Sequence, residues 1–183
     1  FLRTILDGSA KRSEPRALLT QCDKDSDDFN YWQAIAHGKV DFLELFAGSA
    51  KASASCAHAG LKVASAIHVK MDFDLNAKVR QSKARRAIKD QQPAVIWLAP
   101  GRSAWSIVQE RSNPEHVARK QTEAMPMVHF CLQAALHQNN SGRRSIWENP
   151  LPSNMWDTPQ ISETLQHKDV QQDITGYVPV WSL

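Results

Sequence analysis

The segment VDFLELFAGSAKASASCAHAGLKVASAI, residues 40–67, constrains the fold more than any other. A short apolar run ends at a glycine turn. An alanine-rich stretch follows and stops at Gly60, and a second, alternating run begins at Leu61. Alanine favours helix, a glycine just past the last helical residue ends one, and alternation suits a half-buried strand. Strand, helix, strand in that order predicts a parallel pair, because a parallel connection needs a crossover that a helix supplies. The order also puts Gly48 at the carboxyl end of the first strand. There helix N-termini leave N–H groups free, and a glycine lets a ligand approach the backbone closely. This is the usual build of a nucleotide-type cofactor site.

The rest of the chain continues the alternation. NAKVRQSKARRAIKD reads as a basic helix, and AVIWLA, a continuous apolar run, as a buried parallel strand. SIVQE and a long helix from about Pro114 to Gln138 come next, then a turn at NNSG and a strand at RSIWEN. PLPSN leads into a helix at ISETLQH, and GYVPVW is a last strand that Pro179 assigns to a sheet edge. The fold expected is α/β: a three-layer, Rossmann-like domain over residues 40–183 with a mostly parallel sheet and helices on both faces. Residues 1–39 carry polar breakers, DGSAKRSEPR and DKDSDD, and no sustained period. They read as an N-terminal arm packed on the domain through Phe29, Tyr31 and Trp32. A chain that begins at Phe1 and not at Met is expected to be a fragment, a processed product or part of something longer, truncated at the C-terminus as well if the domain continues past residue 183.

Composition excludes several classes. With 183 residues, 42% of them hydrophobic and 22% charged, the chain is long enough for one globular domain with a sizeable core. The net charge of +3 permits an anionic partner without requiring one. No apolar run approaches the roughly 20 residues of a membrane-spanning helix. Cys22, Cys56 and Cys131 are odd in number and lack CxxC spacing, which argues against a disulfide framework or a metal site. They suit a reducing compartment, nuclear or cytoplasmic, or organellar if the N-terminus is processed. There is no G-x-G-x-x-G and no G-x-x-x-x-G-K-[ST], which disfavours a dinucleotide and excludes an ATPase P-loop. Lys78, Arg80, Lys83, Arg85, Arg86 and Lys89 form a basic run that either tracks the phosphates of DNA or RNA or is a solvated helix face. No aromatic residue interleaves it, so stacking on single strands is unsupported. Trp97, Trp105, Trp147 and Trp156 cluster around the strand-end loops, where packing in a core or an interface outweighs base stacking.

Three strand ends carry distinctive signatures: FLELFAGSA, APGRSAWS and WENP. Together they resemble the first, fourth and sixth motifs of cytosine-5 DNA methyltransferases, over roughly residues 40–159. They are more similar still to degenerate methyltransferase-like domains in mobile-element polyproteins of unicellular algae, which share the pattern of ENPLPSNMWDTP. The resemblance implies a Rossmann-like sheet that binds S-adenosylmethionine. It assigns Phe46, Ala47 and Gly48 to the methionine end of the cofactor, with Glu44 at the acidic position of the first motif and Asp74 at the adenine amino group. Pro100 matches the proline of a proline–cysteine pair, and Glu148 a carboxylate that would bond a flipped cytosine.

The departures from the family are chemical. A thiolate must attack the cytosine ring before its carbon becomes nucleophilic, and after Pro100 the chain has Gly101, Arg102 and Ser103. Arginine is a cation, and Ser103 has no evident base beside it. Cys56 and Cys131 fall on predicted helices. At the end of the second strand stands His68, a solvated loop histidine on its simplest reading, and Asp72 reaches the ribose position only if the loop bends back. Without the cysteine, Glu148 is either a base-recognising carboxylate or a structural one at a strand end. The expected function is a methyltransferase-like domain without cytosine chemistry. The alternatives are a non-catalytic scaffold subunit whose tryptophan-bearing segments, around Trp156 and Trp181, meet partner proteins, and a methyltransferase acting on nitrogen or oxygen.

Overall fold

A computed structural model of the chain describes residues 38–67, 74–106, 113–166, 171–175 and 178–182. The expected arm, with Phe29, Tyr31 and Trp32, lies outside these residues, as do Cys22, His68, Asp72 and most of SIVQE. Strand β1 (Phe42–Leu45) is followed by helices α1 (Lys51–His58) and α2 (Lys78–Gln91). Strand β2 (Val95–Leu98), helix α3 (Pro114–Asn140), strand β3 (Arg144–Glu148), helix α4 (Pro159–Leu165) and the hairpin of β4 (Gln171–Thr175) and β5 (Val178–Ser182) complete the order. The sheet order is β1-β2-β3-β5-β4. β1, β2 and β3 are parallel, in a register that aligns Leu45 with Leu98 and Leu98 with Trp147. β5 runs antiparallel to both β3 and β4.

Alternation along the strands sorts the core into two faces. Leu43, Leu45, Ile96, Leu98 and Trp147 point to one side, where α2 adds Ala84 and Ile88 and α3 adds Val128, Phe130, Cys131 and Ala134. Phe42, Val95 and Ile146 point to the other, against Cys56 of α1. The domain is therefore α/β with helices on both faces. The two helices of the larger layer are tied by the Arg85 side chain. Its Nη2 donates to Gln133 Oε1 at 2.7 Å, and its guanidinium lies 5.0 Å from the Phe130 ring centroid. Pro126, inside α3, cannot donate to the helical ladder, and its carbonyl accepts from Gln81 Nε2 at 3.3 Å. At the amino edge of the sheet the fully buried Gln138 donates to the carbonyls of Pro93 and Arg144 at 2.8 and 3.2 Å.

Two expectations are corrected. LKVASAI is not a continuous strand: it meets β1 only through parallel bridges at Val63 and Ile67, with Ala64 N donating to Phe42 O and Ile67 N to Glu44 O. The segment lies at the edge, and successive small residues, Ala64, Ser65 and Ala66, offer little to hold a strand flat. The described part of GYVPVW, from Val178 on, does form a strand, but an internal one. Pro179 precedes Val180, the first residue paired with β3, so its missing donor breaks no rung of that ladder. The edge belongs to β4, whose polar sequence QQDIT has no strand-like alternation. Trp156, expected to pack in a core or an interface, is half-buried against the core, and its Nε1 donates to Pro150 O at 3.0 Å.

Candidate functional site at the carboxyl edge of the sheet

Because β1, β2 and β3 run the same way, ELFAG, APGRS and WENP leave the sheet at one edge. β1 lies between the 61–67 segment on one side and β2 on the other, so the chain reverses its direction of winding between β1 and β2. Ligands of open α/β sheets bind at such a switch point, outside the carboxyl ends of the strands. A cavity of about 600 Å³ opens there. Phe46 lines it from the end of β1, Ala99 and Gly101 from the end of β2, and Asp74, Leu75 and Asn76 from the approach to α2. The amino-terminal half of α3 closes it with Lys120, Glu123, Ala124 and Met127.

The turn after β1 is strained. Phe46, Gly48 and Ala50 have φ of 64°, 53° and 52°. A left-handed conformation costs a side-chain-bearing residue about 1–2 kcal/mol, so Phe46 needs fixing. The carbonyl of Ile67 does this, accepting from Phe46 N at 2.8 Å and Ala47 N at 3.2 Å. Such strain, imposed on an aromatic ring that lines a cavity, is characteristic of ligand sites. At Gly48 an added Cβ would meet no atom within 4 Å. The glycine answers to backbone conformation there and not to crowding by the protein.

Of the residues that the resemblance assigns to the cofactor, Phe46 and Asp74 line the cavity, and Glu44, Ala47, Gly48 and Pro100 are not among its lining residues. Asp74 Oδ1 accepts from the Asn76 backbone and side chain at 2.9 and 3.0 Å, closing the turn that opens α2. Glu44 points to the opposite face of the sheet. It is 5% exposed, and its Oε2 accepts from both the backbone N and the Oγ of Ser53 at 2.7 Å. Ala50, the N-cap of α1, has no side chain to offer, so a carboxylate from the neighbouring strand caps the helix in its place. Burial raises the Glu44 pKa against the pull of the Ser53 bonds, and nearby Glu148 adds to the rise. Glu148, at the end of β3 on the same face, is also raised by burial, with Arg102 opposing. Pro100 is buried, and its carbonyl accepts from Asn149 Nδ2 at 3.1 Å. Asn149, which the sequence reading passed over in WENP, thus locks the β3 end to the β2 loop.

The two described thiols are poor nucleophiles. Burial, with Glu44 nearby, pushes Cys56 up to about 12, and Cys131 is fully buried and pushed higher still. Trp105 and Trp147 are buried in the core. In the basic run Arg85 is committed to α3, and Arg86 pairs with Asp90 at 3.5 Å in solvent. Comparison with known proteins gives no match to a family model, to a curated protein or to a solved structure. The described residues hold no group of three or more His, Cys, Asp or Glu placed for a metal ion, and no helix among them is long and apolar enough to cross a membrane.

Proposed function

We propose that this chain is a Rossmann-like, methyltransferase-like domain that binds S-adenosylmethionine and has lost the chemistry of cytosine methylation. The observation that carries the reading is the cavity at the switch point between β1 and β2. Its size lies within the roughly 300–1,000 Å³ of small-molecule sites. Its wall combines an aromatic ring and aliphatic groups, Phe46, Ile67, Leu75 and Met127, with the polar Asp74, Asn76 and Ser103. That mixture suits a nucleoside with a charged tail. The resemblance of FLELFAGSA, APGRSAWS and WENP to methyltransferase motifs names the nucleoside.

S-adenosylmethionine, when bound, supplies a methyl group made electrophilic by its sulfonium. The chain's own residues supply binding and orientation. Phe46 offers a fixed face, the Asp74–Asn76 turn offers polar groups, and α3 screens the site from water. Among the described residues none offers the thiolate that cytosine carbon chemistry requires, since Gly101 stands after Pro100 and both described cysteines are buried away from the cavity. The paired carboxyls Glu44 and Glu148 sit on the other face of the sheet, where Glu44 serves α1.

Calorimetric titration with S-adenosylmethionine tests the reading. Saturable binding below millimolar ligand is expected, weakened about two- to thirteenfold by Phe46→Ala through loss of a stacking contact worth about 0.5–1.5 kcal/mol. No heat at millimolar ligand defeats it. A second expectation concerns chemistry. Incubated with cofactor and DNA carrying 5-fluorocytosine, the protein forms no covalent adduct, and a denaturant-stable protein–DNA band would contradict the assignment.

A further inference from the structure

One residue on the cavity wall is out of keeping with its place in the fold. The inward stripe of α3 runs through the half-buried Ala124 and the buried Met127, Cys131, Ala134 and Gln138, at the 3–4 residue spacing of a helix packed along one side. One turn earlier the same stripe reaches Lys120. Packing alone would call for an apolar residue there, since a charged group on an inward stripe loses hydration. Lys120 is half-buried, and it lines the cavity with Ala124 and Met127. Of the two acidic groups on the same wall, Asp74 accepts through Oδ1 from Asn76, and Glu123 lies 3.8 Å from Arg119 in a solvent-exposed pair. Among the described residues Lys120 has no carboxylate partner. The start of α2 adjoins the same wall just past Asn76, and its N-cap, Ala77, offers no side-chain acceptor and its first turn no acidic residue. A helix amino end without a capping group adds positive potential.

We propose that Lys120 is the anion-recognition residue of the cavity and pairs with a carboxylate or phosphate of the ligand. This rests on the reading of the cavity as a ligand site and adds the ligand's charge to it. In S-adenosylmethionine the anion is the carboxylate of the amino-acid tail; in a nucleotide it is a phosphate. Lys120 decides which adenine derivatives bind well, while the apolar wall accepts the nucleoside in each.

The test compares the full chain with Lys120→Met and Lys120→Arg by calorimetry, using S-adenosylmethionine, 5′-methylthioadenosine (the same nucleoside without the amino-acid tail) and AMP. Circular dichroism confirms that each variant is folded. If the anion is the carboxylate, Lys120→Met weakens S-adenosylmethionine about tenfold or more, as loss of a charge-assisted hydrogen bond does. Methylthioadenosine is then unchanged, and Lys120→Arg restores most of the affinity. If S-adenosylmethionine does not bind but AMP does, and Lys120→Met weakens AMP by a similar factor, the anion site stands and the methyltransferase-like reading falls. Equal affinities of wild type and Lys120→Met for both anionic ligands, or no binding of either, overturn the inference.

Discussion

A cysteine placed at Gly101 reacts with an aromatic disulfide reagent at least about fifty times faster than Cys56. The comparison is made in a Cys22→Ala background at neutral pH. Burial lifts the Cys56 thiol from an ordinary 9.0 to about 12, which lowers its thiolate fraction about a thousandfold. A more basic thiolate is a better nucleophile, and with a Brønsted slope near 0.45 this returns a factor of about 20. The ratio left is about fifty, and the burial of the Cys56 side chain widens it by denying access. Position 101 has neither handicap. It lines the cavity, its φ lies outside the left-handed region, and an added Cβ would meet only Met127 Cε, at 3.8 Å. Gly101→Cys should therefore fold with a wild-type melting temperature or a slightly higher one, since removing a glycine reduces the freedom of the unfolded chain. Mass-spectrometric mapping of the labelled site reads the result. A cysteine at 101 that labels as slowly as Cys56 would mean that the loop after β2 does not face the cavity. The experiment separates two accounts of the missing thiol. If residue 101 is accessible, the cavity lacks a thiol at this position for want of one side chain and not because the loop has collapsed.

Glu44→Ala is expected to destabilise the fold by about 2–4 kcal/mol in chemical denaturation, a large share of the 5–15 kcal/mol that holds a domain together. The substitution leaves the Ser53 backbone N–H and hydroxyl without their acceptor, in a residue that is itself buried. A buried donor left unsatisfied costs about 1–3 kcal/mol, and loss of a helix cap about 0.5–2. The loss extends to the turn at residues 46–50, which connects β1 to α1. Glu44→Gln should behave differently. Its side-chain oxygen still accepts from Ser53, and it carries no charge to desolvate, so its stability at pH 7 should lie within about 1 kcal/mol of wild type. Glu44 and Glu148 both have folded pKa values raised above the ordinary 4.5. The folded state then holds protons that the unfolded state has released. Their contribution to stability is fully present below about 4.5 and is lost as pH rises through the raised folded values. A melting series upward from pH 4.5 should show a decline from these groups in wild type and a shallower one in Glu44→Gln. A Glu44→Ala protein as stable as wild type would remove Glu44 from its capping role.

What the sequence determined by itself was local. The apolar runs at β1, β2 and β3, the alanine-rich α1 ending before Gly60, and the capped start of α3 at Asn113–Pro114 are all set by residues close to one another in the chain. So is the arrival of three loops at one edge, because crossover helices oblige the strands to run parallel. The absence of a thiol after Pro100 is likewise written in the sequence alone. The tertiary structure decided which groups meet across long separations. Glu44 has the look of a site carboxylate in ELFAG, yet its partner is Ser53, brought to it only when α1 folds back over β1. Pro179 marks an edge by its chemistry, yet β5 became internal because the ladder with β3 starts one residue later and β4 took the outer place. Asn149 and Pro100, forty-nine residues apart, are joined by a single hydrogen bond that no local pattern announces. Lys120 is an ordinary exposed lysine in a list of residues. It becomes a candidate ligand contact only because the stripe it continues passes from the packed core out over the cavity. Backbone preference and periodicity act within a few residues, whereas burial and pairing depend on the whole chain having closed.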